Sequence, residues 1–150
     1  MVIVVVTIRS FRGKHAFLSN FYTCNVTIGK ETYQTTEHYY QSQKATSDAV
    51  RKAIGFASSA KVAKKMGRNI ICRKDWDDVK DAVMLEALRA KFSIPELAKM
   101  LVETGNAIIE ESNSYGDRYW GIDSDTGKGQ NKLGKMLMRI RDEIRRGALA

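Results

Sequence analysis

The chain has 150 residues, 43% hydrophobic and 28% charged with a single proline, which excludes disordered and fibrous classes and fits one domain spanning the whole chain. Its 25 Lys and Arg against 17 Asp and Glu give a formal charge of +8, suited to an anionic partner but equally to a solubility role. Cys24 and Cys72 form no C-x-x-C pair and only His15 and His38 accompany them, so no structural metal site is expected and a reducing, cytoplasmic setting is.

The opening "MVIVVVTIRS" is too short for a membrane span and lacks the basic start of a signal peptide, so it predicts a buried strand over Val2 to Ile8 and no membrane partner. An irregular loop, "RSFRGKHAFLSNF", follows. Its Asn20 could hydrogen-bond a sugar or base edge, or could stabilise its own turn. "FYTCNVTIGKETYQ" then alternates about Gly29-Lys30 as a hairpin.

From Thr36 to Phe92 the pattern is helical, with Thr36, Ser47, Ser59 and Asp75 as expected N-caps. Trp76, Val79, Val83, Ala87 and Ala90 form an apolar stripe on the longest helix, flanked by Met84, Leu88 and Phe92. Ser93 is expected to cap "IPELAKMLVETG", with Pro95 in its first turn and Gly105 beyond its end. "AIIEES" and "RYWGI" read as short strands. Leu133, Leu137, Ile140 and Ile144 recur at helical spacing to a stop at Gly147, and Lys132, Lys135, Arg139, Arg145 and Arg146 occupy the outer face.

Within "TTEHYYQSQKA", a rotation of about 100° per residue puts Glu37, Gln41 and Lys44 in one sector. If that face is solvated, it carries only weak pairs. If it lines a cleft, desolvation and mutual charge shift both ionisable groups and make Glu37 and Lys44 candidates for proton transfer or nucleophilic work. His38 points away from Glu37 and reads as a packing or capping residue. Trp76 and Trp120 could stack a planar base or anchor cores. "SYGDRYWGIDSDTGKGQNKLG" concentrates Asp117, Trp120, several glycines and Asn131. Its "GKGQNKLGK" end could offer backbone N–H groups to phosphate beside Lys128 and Lys132, although it matches neither standard phosphate-binding glycine motif.

Taken in order, "FLSNFY", "TEHYYQSQKA", "DWDDVKDAVMLEALRAKF", "LVETGNAIIEES", "DRYWGID" and "GQNKLGKMLMRIR" resemble the NADAR superfamily, the YbiA-like N-glycosidases, from about Phe11 to Arg141. The resemblance implies an α+β, YbiA-like domain, mostly helical with a small sheet of short strands. It also implies hydrolysis of a ribose–base N-glycosidic bond without metal or redox cofactor. Two substrate classes go with the family: riboflavin-pathway pyrimidine intermediates carrying ribose phosphate, and ADP-ribosylated guanine in nucleotides or nucleic acid. A phosphorylated ribosyl small molecule is thus the expected partner, with ADP-ribosylated nucleic acid as a second.

Matched motif by motif, the family's polar site falls on Glu37, Lys44 and Asp117 as catalytic residues. Asn20, Trp76 and Trp120 are matched as substrate contacts, and Asn131 in a structural or phosphate-side role. Ile122 and Asp123 follow the "WG" where many relatives carry a further glycine. On this reading Glu37 stabilises the sugar cation or activates water, and Lys44 protonates the leaving base or forms a Schiff base with opened ribose. The tryptophans form walls, and the basic C-terminal region holds phosphate. The competing readings are a non-catalytic ADP-ribose or NAD binder and, more distantly, a basic nucleic-acid-binding module.

Overall fold

Among residues 2–147, which the computed structural model describes, the ordered backbone is mostly helical and the short strands fall into three two-stranded ladders. This is the α+β arrangement expected. The chain divides into two compact units, one from Asn20 to Lys91 and the other made of the residues up to Ser19 together with those from Phe92 onward.

In the Asn20–Lys91 unit, β2 (Val26–Ile28) and β3 (Glu31–Tyr33) pair antiparallel around the Gly29-Lys30 turn, with Val26 opposite Tyr33. Gly29 takes φ 63°, the left-handed conformation such a turn demands. Four helices follow: α1 (Thr36–Ser42), α2 (Asp48–Gly55), α3 (Ala60–Arg68) and α4 (Trp76–Lys91). Ser47 and Ser59 accept hydrogen bonds from Val50 N and Val62 N, as N-caps should. The first cap is Thr35, one residue earlier than expected. Its extended backbone lets Oγ1 accept from His38 N, while Thr36 is already helical. Asp75 directly precedes α4, and Arg73 donates to both its carboxylate oxygens, at 2.6 and 2.9 Å.

On α4 the buried positions are Trp76, Met84, Ala87, Leu88 and Lys91, so the buried face is rotated from the expected stripe toward its Met84–Leu88 flank. Val79, Val83 and Ala90 are not among them. α1 packs against α2, α3 and α4, which places it at the centre of this unit.

In the other unit, β1 (Thr7–Ile8) pairs in parallel with β4 (Ile108–Ile109), and β5 (Ser112–Asn113) with β6 (Ile122–Asp123). The expected buried strand over Val2 to Ile8 is therefore cut to two residues. β4 offers only two partners, and Val2 to Val6 are exposed. The loop after β1 contains a 3-10 helix, Gly13–Leu18, that buries Phe17 and Leu18. "AIIEES" splits between two ladders, and of "RYWGI" only Ile122 is strand. α5 (Pro95–Glu103) has Ile94, not Ser93, at its N-cap, with Pro95 opening the helix.

α6 (Lys132–Arg145) buries Leu133, Leu137 and Ile140 as its periodicity predicts. Also buried is Arg141, which donates to Thr104 Oγ1 and the Ala107 carbonyl, both at 2.9 Å. No helix among the described residues is long and apolar enough to cross a membrane.

Lys91 is fully buried at the end of α4, its ammonium 5.7 Å from the Tyr22 ring centroid. Desolvation pulls its pKa from 10.5 down to about 8, opposed by the nearby Cys24. Between those two values the unfolded chain holds more protons than the folded one, so this group's contribution to stability rises with pH across the window. Below it the full penalty applies, up to ~3 kcal/mol for a shift of this size. Lys91→Met is accordingly expected to melt above the wild type at pH 7 and to lose that advantage toward pH 10. Parallel melts with a pH-independent gap would contradict this.

Candidate active site

Every residue of α1 is buried, although Glu37, His38, Gln41 and Ser42 are all polar. Such a helix is stable only where its polar groups find partners within the protein. Its first turn is fastened by Asn20, whose backbone carbonyl accepts from Glu37 N at 3.1 Å and whose Oδ1 accepts from Thr36 Oγ1 at 2.7 Å. The other end of the same amide reaches Met84 Sδ at 3.5 Å.

His38 is held at both ring nitrogens. Nδ1 lies 2.7 Å from Thr35 Oγ1, and Nε2 lies 3.0 Å from the Ala57 carbonyl. A carbonyl can only accept, so the proton sits on Nε2 and the ring bridges two segments. This is the packing role expected of it.

Glu37 is 7% exposed, and Gln41, one turn later, donates from Nε2 to its Oε1 at 3.0 Å. Burial pushes the Glu37 carboxyl above its ordinary value. The Gln41 hydrogen bond and the positive charges of Lys64, Lys44 and Arg68 pull the other way. Gln41 occupies its position because residue 67 on α3 is glycine. A Cβ there would lie 1.9 Å from Gln41 Oε1. The missing side chain lets α3 approach α1 closely enough to clamp the amide against the carboxylate.

Lys44 lies just past the C-terminal end of α1. Its backbone N–H returns to the Gln41 carbonyl at 3.2 Å, and its own carbonyl accepts from Arg73 N at 2.9 Å. The ammonium stands 5.6 Å from the centre of the Tyr40 ring and 5.9 Å from that of Trp76, and these two rings meet edge-on at 5.1 Å. Two aromatic faces thus hold the cation and replace part of its hydration. Desolvation lowers the Lys44 pKa. Cys72 and Glu37 oppose that shift, while Arg68 and Lys64 reinforce it.

In this unit, then, Asn20, Glu37, Lys44 and Trp76 come together as a buried carboxylate, a desolvated amine, an indole wall and an amide that fixes the helix carrying the acid. Desolvation favours the neutral form of both the acid and the amine, while their opposite charges favour the ion pair. Such a balance is what poises groups for proton transfer near neutral pH. Sequence reasoning does not single out Tyr40, Lys64, Gly67 or Arg68. The available signal is "AKVAKKMGR", a helix with four cations and no acid.

The remaining three sequence-selected residues lie in the other unit. Asp117 Oδ1 accepts from the backbone N–H groups of Tyr119 and Trp120, at 3.0 and 2.9 Å, and so shapes the "DRYW" turn. Asn113, itself buried, closes the same turn by donating to the Asp117 carbonyl and accepting from Asp117 N, both at 2.9 Å. Trp120 is half-buried and meets Tyr119 edge-on at 4.9 Å. Asn131 takes a left-handed backbone, φ 51°, immediately before α6. Its buried amide accepts from Glu111 N at 3.0 Å and donates to the Ile109 carbonyl at 2.9 Å, which staples the start of the helix to β4.

Comparison with known proteins agrees with this fold. The NADAR domain model matches residues 9–145. The N-glycosidase YbiA of Escherichia coli is 38% identical over 93% of this chain and 88% of that protein. An N-glycosidase of Nostoc punctiforme is 37% identical over 85% of this chain and 84% of its own length. A riboflavin biosynthesis protein of Vibrio vulnificus is 36% identical over 89% of this chain, which spans 37% of that longer protein. The NMR structure of Escherichia coli YbiA superposes with a TM-score of 0.85, covering 99% of this chain and 89% of that one at 37% identity. With its fold, its ordered motifs and nearly its whole length in agreement, the chain belongs to the NADAR domain family.

Proposed function

We propose that this chain is an N-glycosidase, a hydrolase that cleaves the bond between ribose C1′ and a nitrogenous base in a phosphorylated ribosyl substrate. The observation that carries this reading is the buried Glu37 carboxylate, paired by hydrogen bond with Gln41 and flanked by the desolvated Lys44. Its family supplies the reaction class: two of the three relatives above are named as N-glycosidases.

Cleaving a ribosyl C–N bond builds positive charge at C1′ and negative charge on the departing base. A carboxylate in a water-poor pocket stabilises the first far better than one in bulk solvent, because the local dielectric is low. Glu37 is assigned that role, and it also orients the water that attacks C1′ and accepts the proton that this water gives up. Lys44, as the ammonium, delivers a proton to the leaving base. Trp76 forms the wall on which the base or sugar rests. A pyrimidine or a purine leaves by the same route, so both classes named for the family remain candidates: riboflavin-pathway pyrimidine intermediates and ADP-ribosylated guanine. The Vibrio vulnificus relative, named for riboflavin biosynthesis, supports the first. Asp117, as a catalytic residue, and Trp120 and Asn131, as substrate contacts, are proposed on their motifs alone.

A non-catalytic ADP-ribose binder would keep an aromatic wall and cations but has no use for a costly buried acid. Chromatography of released base across both substrate classes decides between the readings. Glu37→Gln is expected to lower turnover at least ~100-fold while keeping ligand affinity within a few-fold. Turnover near the wild-type level would remove Glu37 from the mechanism.

If Lys44 also attacks C1′ of an opened ribose, borohydride with substrate traps an adduct that Lys44→Ala abolishes. If proton donation is its whole role, no adduct forms and the alkaline limb of kcat/KM falls below the ordinary lysine range.

The acid limb reports Glu37 in its ionised form and should lie above the ordinary carboxylate range. Gln41→Leu removes the hydrogen bond that favours ionisation, so it is expected to move this limb to higher pH. A uniform fall in kcat/KM at every pH, with the limb unmoved, would reduce Gln41 to packing.

A further inference from the structure

The electrostatic surroundings of Glu37 are lopsided. One buried carboxylate lies within the electrostatic reach of three cations, Lys64, Lys44 and Arg68, which favour its ionised form. Lys44 stands against the Tyr40 and Trp76 rings, and Lys64 and Arg68 belong to α3, which packs directly on α1. They stand four residues apart, one turn along the same face of that helix, and the helix contains no acid. Like charges at this spacing repel, and an anion shared between them relieves the cost. Gly67 lies between them in sequence and sets the close approach of α3 to α1, so the pair is held at the same contact that clamps Gln41. Lys64 is half-buried with its ammonium 5.7 Å from the ring of Phe21, and that residue is 43% exposed. Arg68 is exposed.

We infer that Lys64 and Arg68 form the phosphate-binding subsite of the Glu37 site, gripping the phosphate of the ribosyl substrate. This rests on the N-glycosidase reading for the identity of the substrate and adds to it the residues that select for phosphorylation. Guanidinium and ammonium suit the task differently. Arg68 offers a planar fork that can hold two phosphate oxygens at once, while Lys64 acts as a point charge whose ammonium lies beside the Phe21 ring.

The same phosphate chemistry is offered by a ribose 5-phosphate moiety and by the diphosphate of ADP-ribose, so both are tested. Binding of ribose 5-phosphate, ribose and ADP-ribose is measured by calorimetry on wild type, Lys64→Ala, Arg68→Ala and the double variant. Base release is measured from a pyrimidine N-riboside with and without its 5′-phosphate. Wild type is expected to prefer the phosphorylated form at least ~10-fold in kcat/KM, and the double variant to lose most of that preference, chiefly through KM.

Circular dichroism checks folding, and the paired exchange Lys64→Arg with Arg68→Lys, which keeps both charges, should restore part of the preference. A wild type without preference, or a double variant that keeps it, overturns the inference. If the double variant weakens ribose 5-phosphate binding but no N-riboside releases base in any variant, the subsite stands and the glycosidase reading fails. A larger loss with ADP-ribose than with ribose 5-phosphate assigns the subsite to the diphosphate.

Discussion

A helix without a solvent face must satisfy its polar groups from within the protein, and α1 is such a helix. Thr35 caps it, Asn20 ties its first turn, and His38 bridges Thr35 to the Ala57 carbonyl. Ser42 donates back to the Tyr39 carbonyl at 2.7 Å, and Tyr39 donates to Glu86. These bonds satisfy the helix around Glu37, which sits in the interior with Gln41 as its companion. The packing of α2, α3 and α4 around α1 is therefore less a means of hiding apolar surface than of enclosing a carboxylate.

That enclosure is expensive. A buried carboxylate with a single hydrogen-bond donor on one oxygen is far from its aqueous optimum, and Gln41 Oε1 is buried with no hydrogen-bond partner among the described residues, a deficit of about 1–3 kcal/mol. Stability alone would favour apolar side chains at both positions. Their presence fits a protein that accepts local instability where a charge must be kept dry until substrate arrives. Lys91 is a second buried ion in the same unit, but its neighbours are Tyr22 and Cys24. The two ions have different surroundings: lysine and arginine charges act on Glu37, a phenol ring and a thiol on Lys91.

Much of this was legible in the residues. The Gly29-Lys30 hairpin, the serine caps at 47 and 59, Pro95 at a helix start, and the apolar spacing of α6 all follow from local chemistry and stand in the structure. The motif order pointed to the family. What periodicity could not supply was burial. "TTEHYYQSQKA" has no apolar stripe, and a helix covered on all sides by other helices shows the same pattern as a solvated one. The first strand failed for the converse reason: Val2 to Val6 are as apolar as a core strand, yet β4 is too short to pair with them. The tandem Thr35-Thr36 left the cap ambiguous by one residue, because both hydroxyls suit the position. Nothing in the sequence marks Lys64 and Arg68, because four cations among nine residues have the look of a solvated face until α3 is set against α1.

The close approach at Gly67 has a consequence for how such a protein can diversify. Because α1 is gripped on all sides, a change to nearly any of its side chains disturbs the carboxylate along with the packing, so it offers little freedom for tuning. α3, by contrast, presents Lys64 and Arg68 beside Glu37 while its Gly67 preserves the contact. On the proposed assignment the chemical step and the choice of substrate are written on different helices, and a new selectivity could be acquired by redrawing one outer turn of α3 with Glu37 left untouched.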